Sequence, residues 1–175
     1  MKRNANAKNI VFGEGVLYID EKPIGLTRDG AKFTVENTYR AIEADGDRAK
    51  VKGRIRKDGA VPKIETNHLE LLTKITDIHP GLKVDTTTKE GYTIVRGTGK
   101  IDDEKDYHKV EFKGETKDGR ECTVGIEKAI NLENIEWEFK DKNEVIDKVT
   151  FEGVEEEEQE SLDEGWYFEY KTGAE

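Results

Sequence analysis

Only one stretch of this 175-residue chain spaces its apolar residues as a helix does and not equally as a strand. Leu69, Leu72 and Ile75, with Leu71 and Ile78 beside them, form a single stripe behind Asn67, a suitable N-cap, and the stripe stops at His79-Pro80-Gly81. The spacing predicts a helix near residues 68–76. Elsewhere apolar residues alternate with polar ones between glycine- and aspartate-rich turns, the pattern of half-buried strands. Val16-Leu17-Tyr18-Ile19 and Ile24-Gly25-Leu26 flank Asp20-Glu21-Lys22-Pro23 and read as a hairpin. Arg28-Asp29-Gly30 reads as the next turn, after which Phe33, Val35 and Tyr39 share one face of a strand. Further strands are predicted over 63–66 and 92–97. Residues 107–116 and 120–129, joined by Lys117-Asp118-Gly119, give the strongest hairpin signal, and over 145–154 Val145, Asp147, Val149 and Phe151 share a face. Residues 131–140 fit helix and strand spacing equally. Seven to nine strands and one helix predict a mainly β (α+β) domain, a sandwich or barrel with one flanking helix.

Composition restricts the core. Charged residues make up 39% of the chain and hydrophobic ones 34%, so the core is thin and much strand surface is polar. No apolar run approaches the roughly 20 residues a membrane-spanning helix needs. The start, MKRNANAKN, is basic but has no apolar stretch of a secretory signal, so synthesis and residence in a cytoplasm are expected. Residues 1–9 read as a polar arm. Cys122, the single cysteine, reads as a buried or half-buried strand residue with no sign of thiolate activation.

Charge is unevenly distributed. Residues 48–57 carry six bases (Arg48, Lys50, Lys52, Arg54, Arg56, Lys57) and no acid, in a protein whose formal charge is −10. Residues 152–164 carry eight acids and no base; without them the remainder stands at −2. The chain is dipolar rather than uniformly acidic. The segment 155–175, acidic and then aromatic through Trp166, Tyr167, Phe168 and Tyr170, reads as a tail whose aromatic end docks on something.

Catalytic signatures are missing. His68, His79 and His108 fit no metal-site spacing and are expected at the surface or at a helix end. Gly13-Glu14-Gly15 and Gly97-Thr98-Gly99 read as turns, since neither opens a helix in a βαβ unit. Asp102, Asp103, Glu104 and Asp106 resemble a cation site in composition alone. The expectation is a protein without catalytic residues, cofactor or metal.

The basic stretch admits three readings. It is a solvated loop, or a phosphate-tracking β-arm, or an arm that reaches onto an acidic face of an identical subunit. Phosphate tracking calls for stacking aromatics among the charges and a net basic domain, and no aromatic falls between Tyr39 and Tyr92. The third needs no outside ligand. The Gly- and charge-rich segment 45–62 is long for a connection, and its alternation also allows an extended β-arm.

Residues 11–54, VFGEGVLYIDEKPIGLTRDGAKFTVENTYRAIEADGDRAKVKGR, resemble the N-terminal half of the tail tube (major tail) proteins of long, flexible-tailed bacteriophages and prophages. The resemblance is carried by Phe12-Gly13-Glu14-Gly15, the hairpin to Gly25-Leu26-Thr27, the strand from Glu36 to Tyr39, and Ile42-Glu43-Ala44-Asp45-Gly46 before the basic arm. The step at 63–72 and DKNEVIDKVTFE at 141–152 fit the same pattern, so it covers about residues 10–153. It implies a β-sandwich-like domain (10–154) with a flanking helix, assembling as hexameric rings that stack into a tube. Arg48, Lys50, Lys52, Arg54, Arg56 and Lys57 would contact neighbouring subunits and rings. The implied partners are further copies, the terminator and tape-measure proteins, and DNA that passes without being held. The implied location is the virion tail, assembled in the host cytoplasm. Two other functions fit the same residues: a β-barrel nucleic-acid-binding module using 48–57, and an accessory virion protein that does not polymerise.

Overall fold

The protein is described here by a computed structural model covering residues 7–156 and 163–172. After a 3₁₀ turn at Ala7–Asn9, the first strand, β1 (Val11–Ile19), reverses into the short β2 (Lys22–Pro23). Asp20 and Glu21 occupy the reversal at φ 47° and 66°, the left-handed pair that matches the twist of a two-residue hairpin. β3 (Thr27–Ala41) and β4 (Ile55–His68) form a long hairpin, followed by the helix α1 (Leu71–Ile78). Then come β5 (Leu82–Asp85), β6 (Ile94–Gly97), β7 (His108–Thr116), β8 (Glu121–Asn131), β9 (Asp147–Gly153) and β10 (Trp166–Tyr170).

The fold is mainly β, as the sequence predicts. Its centre is one antiparallel sheet in the order β2-β1-β7-β8-β9-β4-β3, with β10 also on β8; β5 and β6 pair separately. Leu17 and Ile19 of β1 lie in one cluster with Ile64, Val110, Ile126, Val149 and Phe151, and Phe33 of β3 packs against it. Strands from opposite ends of the order share that core, so the sheet is curled and barrel-like. The bond from Leu69 N–H to Leu26 O (2.9 Å) ties the link before β3 to the link before α1. Ile75 and Ile78 of α1 are buried, each contributing about 1.5–3 kcal/mol of apolar burial. Among the described residues no helix is long and apolar enough to cross a membrane.

Several local expectations are corrected. The helix starts at Leu71, with Glu70 at its N-cap, rather than after Asn67. His68 is the last residue of β4, paired with both Thr27 and Asp147, so two sheet ladders claim the residues that a cap at Asn67 would have made helical. Arg28-Asp29-Gly30 does not end a strand. It is a bulge within β3, with Asp29 and Gly30 at φ 63° and 73°. Residues 132–140 adopt neither helix nor strand, and β5 was not anticipated.

His68 is buried at the end of β4 rather than at the surface, and His79 stands at a helix end as expected, capping α1, but is buried there. The His79 ring meets Asp147 Oδ2 at 2.7 Å and Asn131 Nδ2 at 3.1 Å, while Trp137 Nε1–H donates to Asp147 Oδ1 at 3.1 Å. Asn131 Oδ1 accepts from the backbone N–H groups of Glu133 and Thr150. This buried network pins the 132–140 segment to β9 and to the end of α1. Burial also pushes the His68 ring below the ordinary histidine range, against a bond to Ile24 O.

Candidate assembly arm

The β3–β4 ribbon is longer than its neighbours. β9 pairs with β4 only from Lys63 to His68, so residues 55–62 of β4 have β3 as their sole strand partner among the described residues. Among the described residues the outer edge of β3 has no strand partner. The ribbon therefore projects past the sheet and carries the basic stretch: Ile55, Arg56 and Lys57 open β4, and 48–54 belong to the connecting loop.

The six bases have different jobs. Arg54 is a clamp: its guanidinium and the Ala44 N–H both bond Asp47 Oδ2 at 2.8 Å, and its carbonyl accepts from Ile42 N–H at 2.9 Å. Lys57 pairs with Glu164. Arg56 stands opposite Arg40, and Asp58, the extra residue of a second bulge, takes the Arg40 guanidinium at 3.0 Å. Arg48, Lys50, Lys52 and Arg56 are exposed and form no ion pair among the described residues. This is the charge left available to a partner.

Beside it lies apolar surface. The face that carries Phe33 and Val35 continues to Tyr39, which is 61% exposed and sits directly across from Lys57; Ile55, 50% exposed, follows on the other strand. Tyr39 lies outside the basic stretch in sequence, and the hairpin brings it beside Lys57. No family model matches the chain, and no curated protein matches it.

The C-terminal segment is part of the main sheet. β9 ends with Val154 N–H on Lys128 O (3.0 Å), and Glu127 N–H donates to Gly165 O (2.8 Å). β10 then runs along β8 in line with β9, from Trp166 opposite Ile126 to Tyr170 opposite Cys122. Ten residues, 155–164, are thus inserted between two successive positions of one sheet edge, and seven of them are acidic. Of these acids, Glu157, Glu158 and Glu160 lie outside the described residues. Glu156 pairs with Lys128.

Trp166 and Tyr167 hold β10 in place. Trp166 packs on Phe33 with ring centroids 5.7 Å apart, and its Nε1–H donates to Glu164 Oε2 at 2.9 Å. Lys57 and this indole hold the Glu164 carboxyl below the usual carboxylate range. Tyr167 crosses Gly125, where a Cβ would collide with its ring, and donates to Glu111 Oε1 at 2.5 Å. Glu111 is only 6% exposed and also meets Lys109 (3.3 Å) and Lys113 (3.2 Å). Burial raises its carboxyl, but the Tyr167, Lys113 and Lys109 donors outweigh that and bring it below the ordinary value. Burial and Glu111 push the Tyr167 hydroxyl up to about 12.

The acidic group at 102–106 is organised around one carboxylate. Asp106 Oδ2 accepts the N–H groups of Gly81 and Asp102, both at 2.8 Å, which closes the loop. No three His, Cys, Asp or Glu residues among those described are grouped to hold a metal.

Proposed function

We propose that this chain is a structural subunit that self-assembles through the β3–β4 arm, as the tail tube proteins it resembles do, in hexameric rings stacked around a DNA path. The observation that carries the reading is the arm: a ribbon with exposed Tyr39, Ile42 and Ile55 that, among the described residues, has an open edge and four bases without acidic partners. An open strand edge offers backbone pairing to a second chain, and clustered apolar anchors rimmed by charge suit protein–protein contact. An isolated monomer would leave that surface uncovered. Arg54 has an internal role on this reading, so the contact falls to Arg48, Lys50, Lys52, Arg56 and, once Glu164 is displaced, Lys57.

One observation favours a second reading. Tyr39 opposite Lys57 supplies an exposed aromatic among cations, as single-strand nucleic-acid binders use. The two separate by experiment. A subunit of a conduit forms rings or tubes in electron micrographs and shows no salt-sensitive grip on single-stranded DNA; a binding module does the opposite.

A further inference from the structure

We propose that β10 is exchangeable between copies, so that the edge of β8 at residues 122–126 accepts residues 166–170 of a second copy of this chain. Val154 bonds Lys128 and Gly165 bonds the adjacent Glu127, so a direct join would carry the chain from β9 into β10 along one unbroken line. Ten residues stand where none is needed, and extended they reach about 33–36 Å. Seven of the ten are acidic and none is basic, the composition of a linker rather than of a core segment.

What β10 carries is a portable set of contacts. Its ladder to β8, Tyr167 over Gly125 onto Glu111, and Trp166 on Phe33 use only the strand and the body it docks on. The same set forms whichever copy supplies the strand, so exchange costs no contact and is governed by effective concentration. Phe168 and Tyr170 remain 47% and 56% exposed, so the strand adheres to the rim of the core rather than filling it. The acceptor is therefore an identical copy, held nearby by the self-association proposed above, on which the exchange rests for its local concentration.

The native Cys122 provides the test. It faces Tyr170 between the backbone-bonded pairs of an antiparallel ladder, where side chains stand closest and a disulfide fits. One population of the full chain carries Cys122→Ser with Tyr170→Cys; the other is wild type. They are mixed at high concentration, oxidised and run on non-reducing gels, with Tyr170→Cys alone as the within-chain control. Exchange predicts a mixed disulfide-linked dimer that becomes more abundant with concentration. A control that closes within the chain while the mixture stays monomeric overturns the proposal. Should Tyr170→Cys perturb the fold, the next such pair, Val124→Cys and Phe168→Cys split between two Cys122→Ser chains, gives the same readout. Tubes without mixed disulfide refute exchange and keep the assembly reading; mixed disulfide without rings or tubes does the reverse.

Discussion

Gly125 has no side chain because Tyr167 needs the space. The ring lies across the bare backbone of β8 and reaches Glu111 on the next strand, so one absent methyl group permits the contact that fixes β10. Gly125→Ala should cost about 1–3 kcal/mol through overpacking and lower Tm by several degrees. A thermal melt checks this, and an unchanged Tm would mean that Tyr167 does not rest there. His68 makes a second prediction at this scale. Its folded value lies below the 6.5 of an exposed histidine, so the unfolded chain takes the proton first as pH falls. The stabilising contribution is complete above about pH 6.5 and is lost as pH falls from there through the folded value. Tm measured from pH 7.5 to 5.5 should drop more steeply for the wild type than for His68→Gln; parallel profiles would refute the assignment.

At the scale of elements, the arm joins two properties that the sequence lists apart. Basic residues 48–57 and the strand bearing Tyr39 read as separate segments, and only the hairpin makes them one surface. Lys50→Glu, Lys52→Glu and Arg56→Glu together should abolish assembly yet leave circular dichroism unchanged and monomer stability within about 0.5 kcal/mol, as expected for exposed positions. Arg54→Glu is a poorer probe because it breaks the Asp47 clamp. Tubes formed normally by the triple variant would remove the arm from the interface.

Period-two alternation and the Asp-Gly turn made β7, β8 and β9 legible, because local pattern and tertiary environment agree there; the first hairpin was legible in its first strand alone, since it returns through Lys22–Pro23 and not through residues 24–26. Asn67 misled, since its capping signal is local while two neighbouring ladders, both non-local, hold His68 in β4. The bulge at Asp29 uses the same residue types as a turn, so only pairing with Thr66 and Asn67 distinguishes them. The Asn131–His79–Asp147–Trp137 network joins residues up to 68 positions apart, and no spacing rule reports it. The basic residues of the arm were visible in the sequence, but the roles of Arg54 and Lys57 within it were not.

At the scale of the molecule, charge and shape point outward. A thin core sits within a curled sheet, and among the described residues the outer edge of β3 has no strand partner and Arg48, Lys50, Lys52 and Arg56 form no ion pair. The acids that would balance them are concentrated in the 155–164 insert, where Glu164 reaches Lys57 near the far end of the ribbon. On the proposed reading such a surface is satisfied by meeting another copy, and β10 exchange adds a non-covalent tie, a strand of one chain seated in the sheet of the next. The central claim is that the chain assembles, and negative-stain electron microscopy of the concentrated wild-type protein tests it most directly. The account predicts rings or stacked tubes that the triple arm variant fails to form; uniformly monomeric particles across concentration and salt would contradict it.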